Sequence, residues 1–257
     1  MQTFVLALSR LVPLSFLVSL TLVGSRYLHD LVLRTHPHLA RWAFATVSLI
    51  GLVALAPYAL RTGLIVGAQW ATNSGRWQAA DLLLTDYDAW NGERSDAMLR
   101  RWAYVRMSAG NWTGAEEVLR LGETPSAQTR ILVGVCQYYE GNPDAEATLR
   151  AVPDVTGTQL CIRDYLLGRI AQKRGDLGRA FALYGRSAQW EPNFFPSTYH
   201  GVRIMLQHGD AGRATSILDR FTRRFPAQRN APDVIALRDA IRARTVPADK
   251  EFIVVSD

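Results

Sequence analysis

The sequence predicts an all-α protein: two N-terminal transmembrane helices followed by a solenoid of helical hairpins. Three observations predict it. Residues 42–60 run for 19 positions without a charge, between Arg41 and Arg61. Gly175-Asp176-Leu177-Gly178-Arg179-Ala180 recurs 34 residues later as Gly209-Asp210-Ala211-Gly212-Arg213-Ala214. Gly75, Gly110, Gly141, Gly175 and Gly209 fall at spacings of 35, 31, 34 and 34, which chance does not produce.

Composition is consistent with that architecture. Of 257 residues, 48% are hydrophobic and 20% charged, which excludes both a disordered chain and a polytopic transporter. The net charge of +6 comes almost wholly from arginine, lysine occurring only at 173 and 250. A GC-rich genome produces that usage, so it is not read as a nucleic-acid signal and no nucleic-acid partner is expected. Cys136 and Cys161 are too few for a disulfide framework or a four-ligand zinc site. They pair if the domain lies outside the cytoplasm, or are simply buried as small apolar groups.

The membrane anchor is expected over residues 1–61. Its first span, residues 3–24, is interrupted by Arg10, after which Leu11–Gly24, with Pro13 near its start, runs without a charge. Such a run behind one arginine also fits a secretory signal, with Val23-Gly24-Ser25 as a cleavage triplet. A retained helix is the reading taken, with Arg10 snorkelling to the interface or facing a protein partner. The second span, residues 42–60, reaches roughly 28 Å at 1.5 Å per residue, close to the ~30 Å hydrocarbon core. Trp42 and Tyr58 sit near its ends, where amphipathic rings favour headgroups. The loop 25–41 between the spans carries Arg26, Arg34 and Arg41 against Asp30. The positive-inside bias therefore places this loop in the cytoplasm of a bacterium. Residues 62–257 would then lie in the periplasm, anchored to the inner membrane.

Residues 62–244 read as a solenoid of four to five hairpin units with a C-terminal capping helix. At the 34-residue offset Tyr165 recurs as Tyr199, Arg169 as Arg203 and Pro192 as Pro226. In each unit Leu167, Gly168, Ile170 and Ala171, or their equivalents, form the inner face of a first helix. Gly175-Asp176 makes the turn and starts the second helix. Ala180 sits at the helix crossing, Tyr184 fills the space beside it, and Pro192 ends the unit. This pattern resembles the tetratricopeptide repeat (TPR) family: leucine-glycine, tyrosine, alanine, an aromatic and a terminal proline over 34 residues. The resemblance is fullest over Cys161–Phe194 and Phe195–Gln228, and extends to Asp96–Leu121 and Ala127–Leu160. In the first unit the opening helix reads as a continuation of the second span. The unit around Gly141 departs from the pattern. Pro143 stands where a helix residue belongs, and Ala145 and Ala147 straddle the alanine position, so a shortened second helix is expected. Pro232 followed by 233–243 reads as the helix that closes the open hydrophobic end. Residues 245–257 lack a helical period and read as a flexible tail, although Phe252-Ile253-Val254-Val255 could fold back or add to a partner as a strand.

The resemblance implies a superhelix whose concave face is lined by the first helix of each unit. The residues placed there are Arg100, Tyr104, Tyr138, Tyr139, Tyr165, Arg169, Lys173, Tyr199 and Arg203. Tyrosine and arginine bury much area and keep directional donors, so such a groove suits an acidic or extended segment of another protein. The lysine/asparagine clamp of chaperone-binding TPR proteins is not present at these positions. Motifs for chemistry are missing: no phosphate loop, no H-E-x-x-H, no G-x-S-x-G and no C-x-x-C. His36-Pro37-His38 offers two ligands without a third. No catalytic, cofactor or metal residue is therefore assigned, and no enzyme activity is expected. Two roles fit: a membrane-anchored scaffold that assembles or positions a protein partner, or a permanent structural subunit of an energy-transducing or photosynthetic membrane complex. Either would contact membrane-complex subunits, and the bilayer through residues 3–24 and 42–60.

Overall fold

The computed structural model of the protein describes residues 37–91, 94–153 and 159–254. The expected first span, 3–24, and most of the loop 25–41 lie outside the described residues, as does His36. Among the described residues every regular element is helical. The chain divides into two compact units between Glu93 and Arg94.

The first unit holds α1 (Pro37–Asn73) and α2 (Trp77–Asn91). Helix α1 begins inside the expected loop, because Pro37 suits a first helical position, where its missing N–H is no loss. It then runs unbroken through Pro57 for 37 residues. Within it Ser48–Asn73 is long and apolar enough to cross a membrane, with mean hydropathy 1.8 over a window only 6% buried. Leu49, Ile50, Leu52 and Val53 are all exposed in the chain itself. The C-terminal part of α1 packs on α2 through Ala68, Ala71, Ala80, Leu84 and Tyr87, all buried. Arg61 donates from Nε to the Tyr87 hydroxyl at 3.2 Å. The first hairpin is thus built on the C-terminal part of the same apolar helix, and the compact units divide after 93, the expected boundary after 61 falling inside α1. No residue between 60 and 73 breaks the helix.

The second unit contains four hairpins' worth of helices and a cap: α3 (Asp96–Ser108), α4 (Trp112–Leu119), α5 (Ala127–Glu140), α6 (Ala145–Arg150), α7 (Leu160–Lys173), α8 (Leu177–Trp190), α9 (Phe195–Gln207), α10 (Ala211–Arg224) and α11 (Pro232–Ala243). The five spaced glycines explain the period, since each has a φ between 68° and 81°. That left-handed conformation closes a helix, and glycine adopts it without Cβ strain. The residue after each glycine donates its N–H to a carbonyl five residues back, for example Asp176 to Ala171 at 3.0 Å and Asp210 to Met205 at 2.9 Å. Asn111, Asp176 and Asp210 then cap the next helix by accepting the N–H three residues on.

Inside the hairpins, small residues set how closely helices approach. Ala115, Ala180 and Ala214 are fully buried. A Cβ on Gly168 would stand 2.7 Å from the Tyr184 ring, which is itself buried. In the shortened hairpin Ala145 is the buried alanine and Ala147 is exposed. Its helix α6 has only six residues, as Pro143 foretells. Between α7 and α8 the buried Asp164 accepts from Arg163 Nε at 2.9 Å, Arg186 Nε at 2.6 Å and Trp190 Nε1 at 2.9 Å. Val234 and Leu237 of α11 cover the end of the stack. Cys136 and Cys161 are free and buried, and burial pushes both thiols up to about 12.

Candidate functional site

The first helices α5, α7 and α9 carry Tyr138, Tyr139, Arg169, Lys173, Tyr199 and Arg203, and the structure brings these six together around one object: the chain's own C-terminal segment. Helix α11 ends at Arg244, whose φ of 51° turns the backbone. The segment Pro247–Val254 then crosses α9, α7 and α5 in that order. Seven extended steps reach about 23 Å, enough for the ~16–20 Å between the axes of three packed helices. The expectation of a flexible tail is therefore corrected. The segment has no helical period because it is held by side chains of the solenoid, not by its own backbone.

Two kinds of contact hold it. Main-chain contacts come first: Arg203 Nε donates to the Pro247 carbonyl at 3.1 Å and the Tyr199 hydroxyl to the Ala248 carbonyl at 2.9 Å. The Tyr139 hydroxyl donates to the Phe252 carbonyl at 2.7 Å and accepts the Val254 N–H at 2.9 Å. These carry no side-chain information. The second kind reads side chains. Arg169 Nη1 meets Asp249 Oδ1 at 2.7 Å, and Nη2 meets Glu251 Oε2 at 2.7 Å. The Tyr138 hydroxyl donates to Glu251 Oε1 at 2.8 Å, and Lys173 Nζ stands 3.7 Å from the same carboxylate. Phe252 lies edge-on to the rings of Phe195, Tyr199 and His200. Lys250, between the two acids, turns to Asp233 at the start of α11, at 2.7 Å.

Electrostatics explain why this ordering is stable. The Arg169 side chain is only 2% exposed, whereas those of Asp249 and Glu251 are 44% and 38% exposed. Burial works against the guanidinium charge, but the hydrogen bonds to Asp249 and Glu251 outweigh it and hold the pKa above its usual value. Burial would likewise raise Asp249, yet Arg169, by hydrogen bond and charge, and then Arg203 hold its carboxyl below the usual range. Burial and the Glu251 carboxylate push the Tyr138 phenol up, so it stays a donor.

The other expected residues lie elsewhere. Tyr165 is fully buried, its ring against Tyr184, Phe194 and His200, and so supports the groove instead of lining it. A tyrosine at that height of α7 meets α9 before it meets solvent. Arg100 is paired with Asp96 and with Gln128 on the neighbouring helix, and Tyr104 sits half-buried on α3. His200 was not singled out from sequence, having no motif spacing. It is fully buried, stacked on Tyr184, with Arg169 Nη1 at 3.2 Å from Nδ1.

Burial and the Arg169 guanidinium push the His200 imidazole from 6.5 down to about 3, against the opposing charge of Asp249. The unfolded chain binds this proton below 6.5 and the folded chain does not until about 3. Stability is therefore full above pH 6.5 and declines as the pH falls toward 3. Between pH 7 and 4 the loss is expected to reach roughly 2–4 kcal/mol. Denaturant titrations of the parent and of His200→Gln at both pH values check this. An equal decline in the two would assign the acid sensitivity to other groups. The share from Asp249, whose carboxyl is held below its ordinary 3.8, is small above pH 4 and falls mostly beneath that window.

No protein-family model matches the chain, and no curated protein matches it in sequence. Among solved structures it is similar to a crystal structure of MamA protein, at 14% identity and a TM-score of 0.52, over 67% of this chain and 96% of that one. At that identity the likeness speaks for the fold alone, and together with the five left-handed glycine turns it makes this chain a TPR-like helical repeat.

Proposed function

We propose that the protein is a non-enzymatic, membrane-anchored scaffold whose groove captures a segment of a protein partner. The observation that supports this is the chain's own acidic segment, which six side chains from the first helices of three consecutive hairpins already hold. Four of its hydrogen bonds go to main chain, which any extended segment supplies. Helix α1, with exposed leucine, isoleucine and valine over a length that crosses a membrane, supports the anchor. The arginine bias of the loop 25–41 supports a bacterial inner membrane with the repeat unit in the periplasm. Membrane-complex subunits are the natural partners of a scaffold so tethered.

The test is site-directed photocrosslinking in native membranes. A crosslinking residue in place of Lys173, which is exposed beside Glu251, should give a discrete protein adduct. One in place of Arg213, exposed on the second helix of its hairpin, should not. The same adduct from both positions, or none from position 173, would reject the groove as the interaction face.

A further inference from the structure

We infer that the groove recognises the side-chain pattern acidic–x–acidic–aromatic, and that Asp249-Lys250-Glu251-Phe252 is a resident copy of this ligand which a partner segment must displace. The inference deepens the scaffold reading and rests on it. It names the partner chemistry: an unfolded stretch of another protein with two carboxylates two residues apart, followed by an aromatic ring.

The pattern follows from which contacts read side chains. Residues two apart on a drawn-out chain share one face. Asp249 and Glu251 use that face to meet the two prongs of a single buried guanidinium. The residue between them is turned away to Asp233, so its identity is not read by the groove. Phe252 enters a cluster of three rings. The remaining hydrogen bonds are to carbonyls and one N–H, and the buried Val254 side chain adds an apolar position two residues after Phe252.

Displacement follows from the segment being held by solenoid side chains alone, with no backbone ladder of its own. It has no secondary structure, Ile253 is 69% exposed, and both carboxylates face water on one side. Such segments open at a fraction of the cost of global unfolding. The tether gives the segment an effective concentration in the millimolar range. It therefore excludes weak acidic chains, and admits only a partner that binds better or is itself presented at high local concentration.

The experiment uses a fluorescent peptide of residues 246–254 and the full chain. The variant Asp249→Asn/Glu251→Gln/Phe252→Ala frees the groove without touching it. We expect this variant to bind the peptide at least about tenfold more tightly than the parent, whose own segment competes. A peptide with the same three changes should not bind. Equal binding by parent and variant, or by both peptides, overturns the inference. If the variant does not fold, millimolar peptide added to the parent must speed hydrogen exchange of residues 247–254, and unchanged exchange overturns it equally. A discrete adduct at position 173 without peptide binding would sink this inference and leave the scaffold reading standing. Peptide binding without adducts would sink the scaffold reading and, with it, displacement by a partner, leaving only the groove's preference for the chain's own segment.

Discussion

Replacing Arg169 by alanine is expected to release the C-terminal segment while leaving the helices in place. The guanidinium makes hydrogen bonds to Asp249 at 2.7 and 3.4 Å and to Glu251 at 2.7 Å. Charge-assisted bonds contribute about 1.5–3 kcal/mol each, but these share one group and end on half-exposed carboxylates. A net loss of roughly 2–4 kcal/mol in docking is the expectation, about 30- to 900-fold in the docked ratio. Removing the acids instead, with Asp249→Asn/Glu251→Gln, would strand a buried cation. Its cost is limited, because once the segment leaves, Arg169 is wetted. Arg169→Lys keeps the charge but not the planar fork, and should fall between parent and alanine. Hydrogen exchange at Val254, whose N–H is held by Tyr139, reads the docking directly. Undiminished protection in Arg169→Ala would show that Tyr139, Tyr199 and Arg203 suffice.

Asp164→Ala is expected to destabilise the repeat unit by about 3 kcal/mol or more. Asp164 is fully buried at the junction of α7 and α8, and three donors converge on it. Its removal strips the carboxylate from beside Arg163, only 3% exposed, and leaves the Trp190 indole N–H without its acceptor. Breaking a buried ion pair from one side typically costs about 3–5 kcal/mol, because the remaining charge stays in a poor solvent. Arg186 contributes less to the loss, being 43% exposed and free to turn to water. Replacing the pair together, Arg163→Met with Asp164→Leu, should recover much of the stability, since apolar residues of similar volume need no partner. Circular dichroism at 222 nm during urea titration measures both. A loss under about 1 kcal/mol for Asp164→Ala would mean that water reaches Arg163.

These two sites differ in how legible they were. The Arg169 site announced itself in part: Arg169 recurs as Arg203 at 34 residues and both donate to the same segment, although Tyr165, one turn before Arg169, lies in the floor. Its ligand did not. The stretch 245–257 lacks periodicity, and a segment held by distant side chains leaves no local trace of its partner. Asp164 and His200 also carry no spacing signal. Their roles depend on Arg186 and Trp190 from α8 and on Arg169 from α7, groups that only the packed helices bring within 3.5 Å.

The sequence by itself determined the repeat. Glycine at five turns, small residues at the crossings and proline near the ends of the units are local requirements of backbone conformation and close packing, so they recur at the period of the structure they serve. It also determined that residues 42–60 are an uncharged apolar run, and among the described residues Ser48–Asn73 is long and apolar enough to cross a membrane. The tertiary structure alone decided that the apolar helix starts as early as Pro37 and runs through Pro57 to Asn73, that Tyr165 lies in the floor, and that the groove is filled by the chain's own acidic segment. The reason is physical: main-chain propensities act over a few residues and leave a pattern. The pairing of Arg169 with Asp249 joins residues 80 apart by charge and shape, which no period encodes.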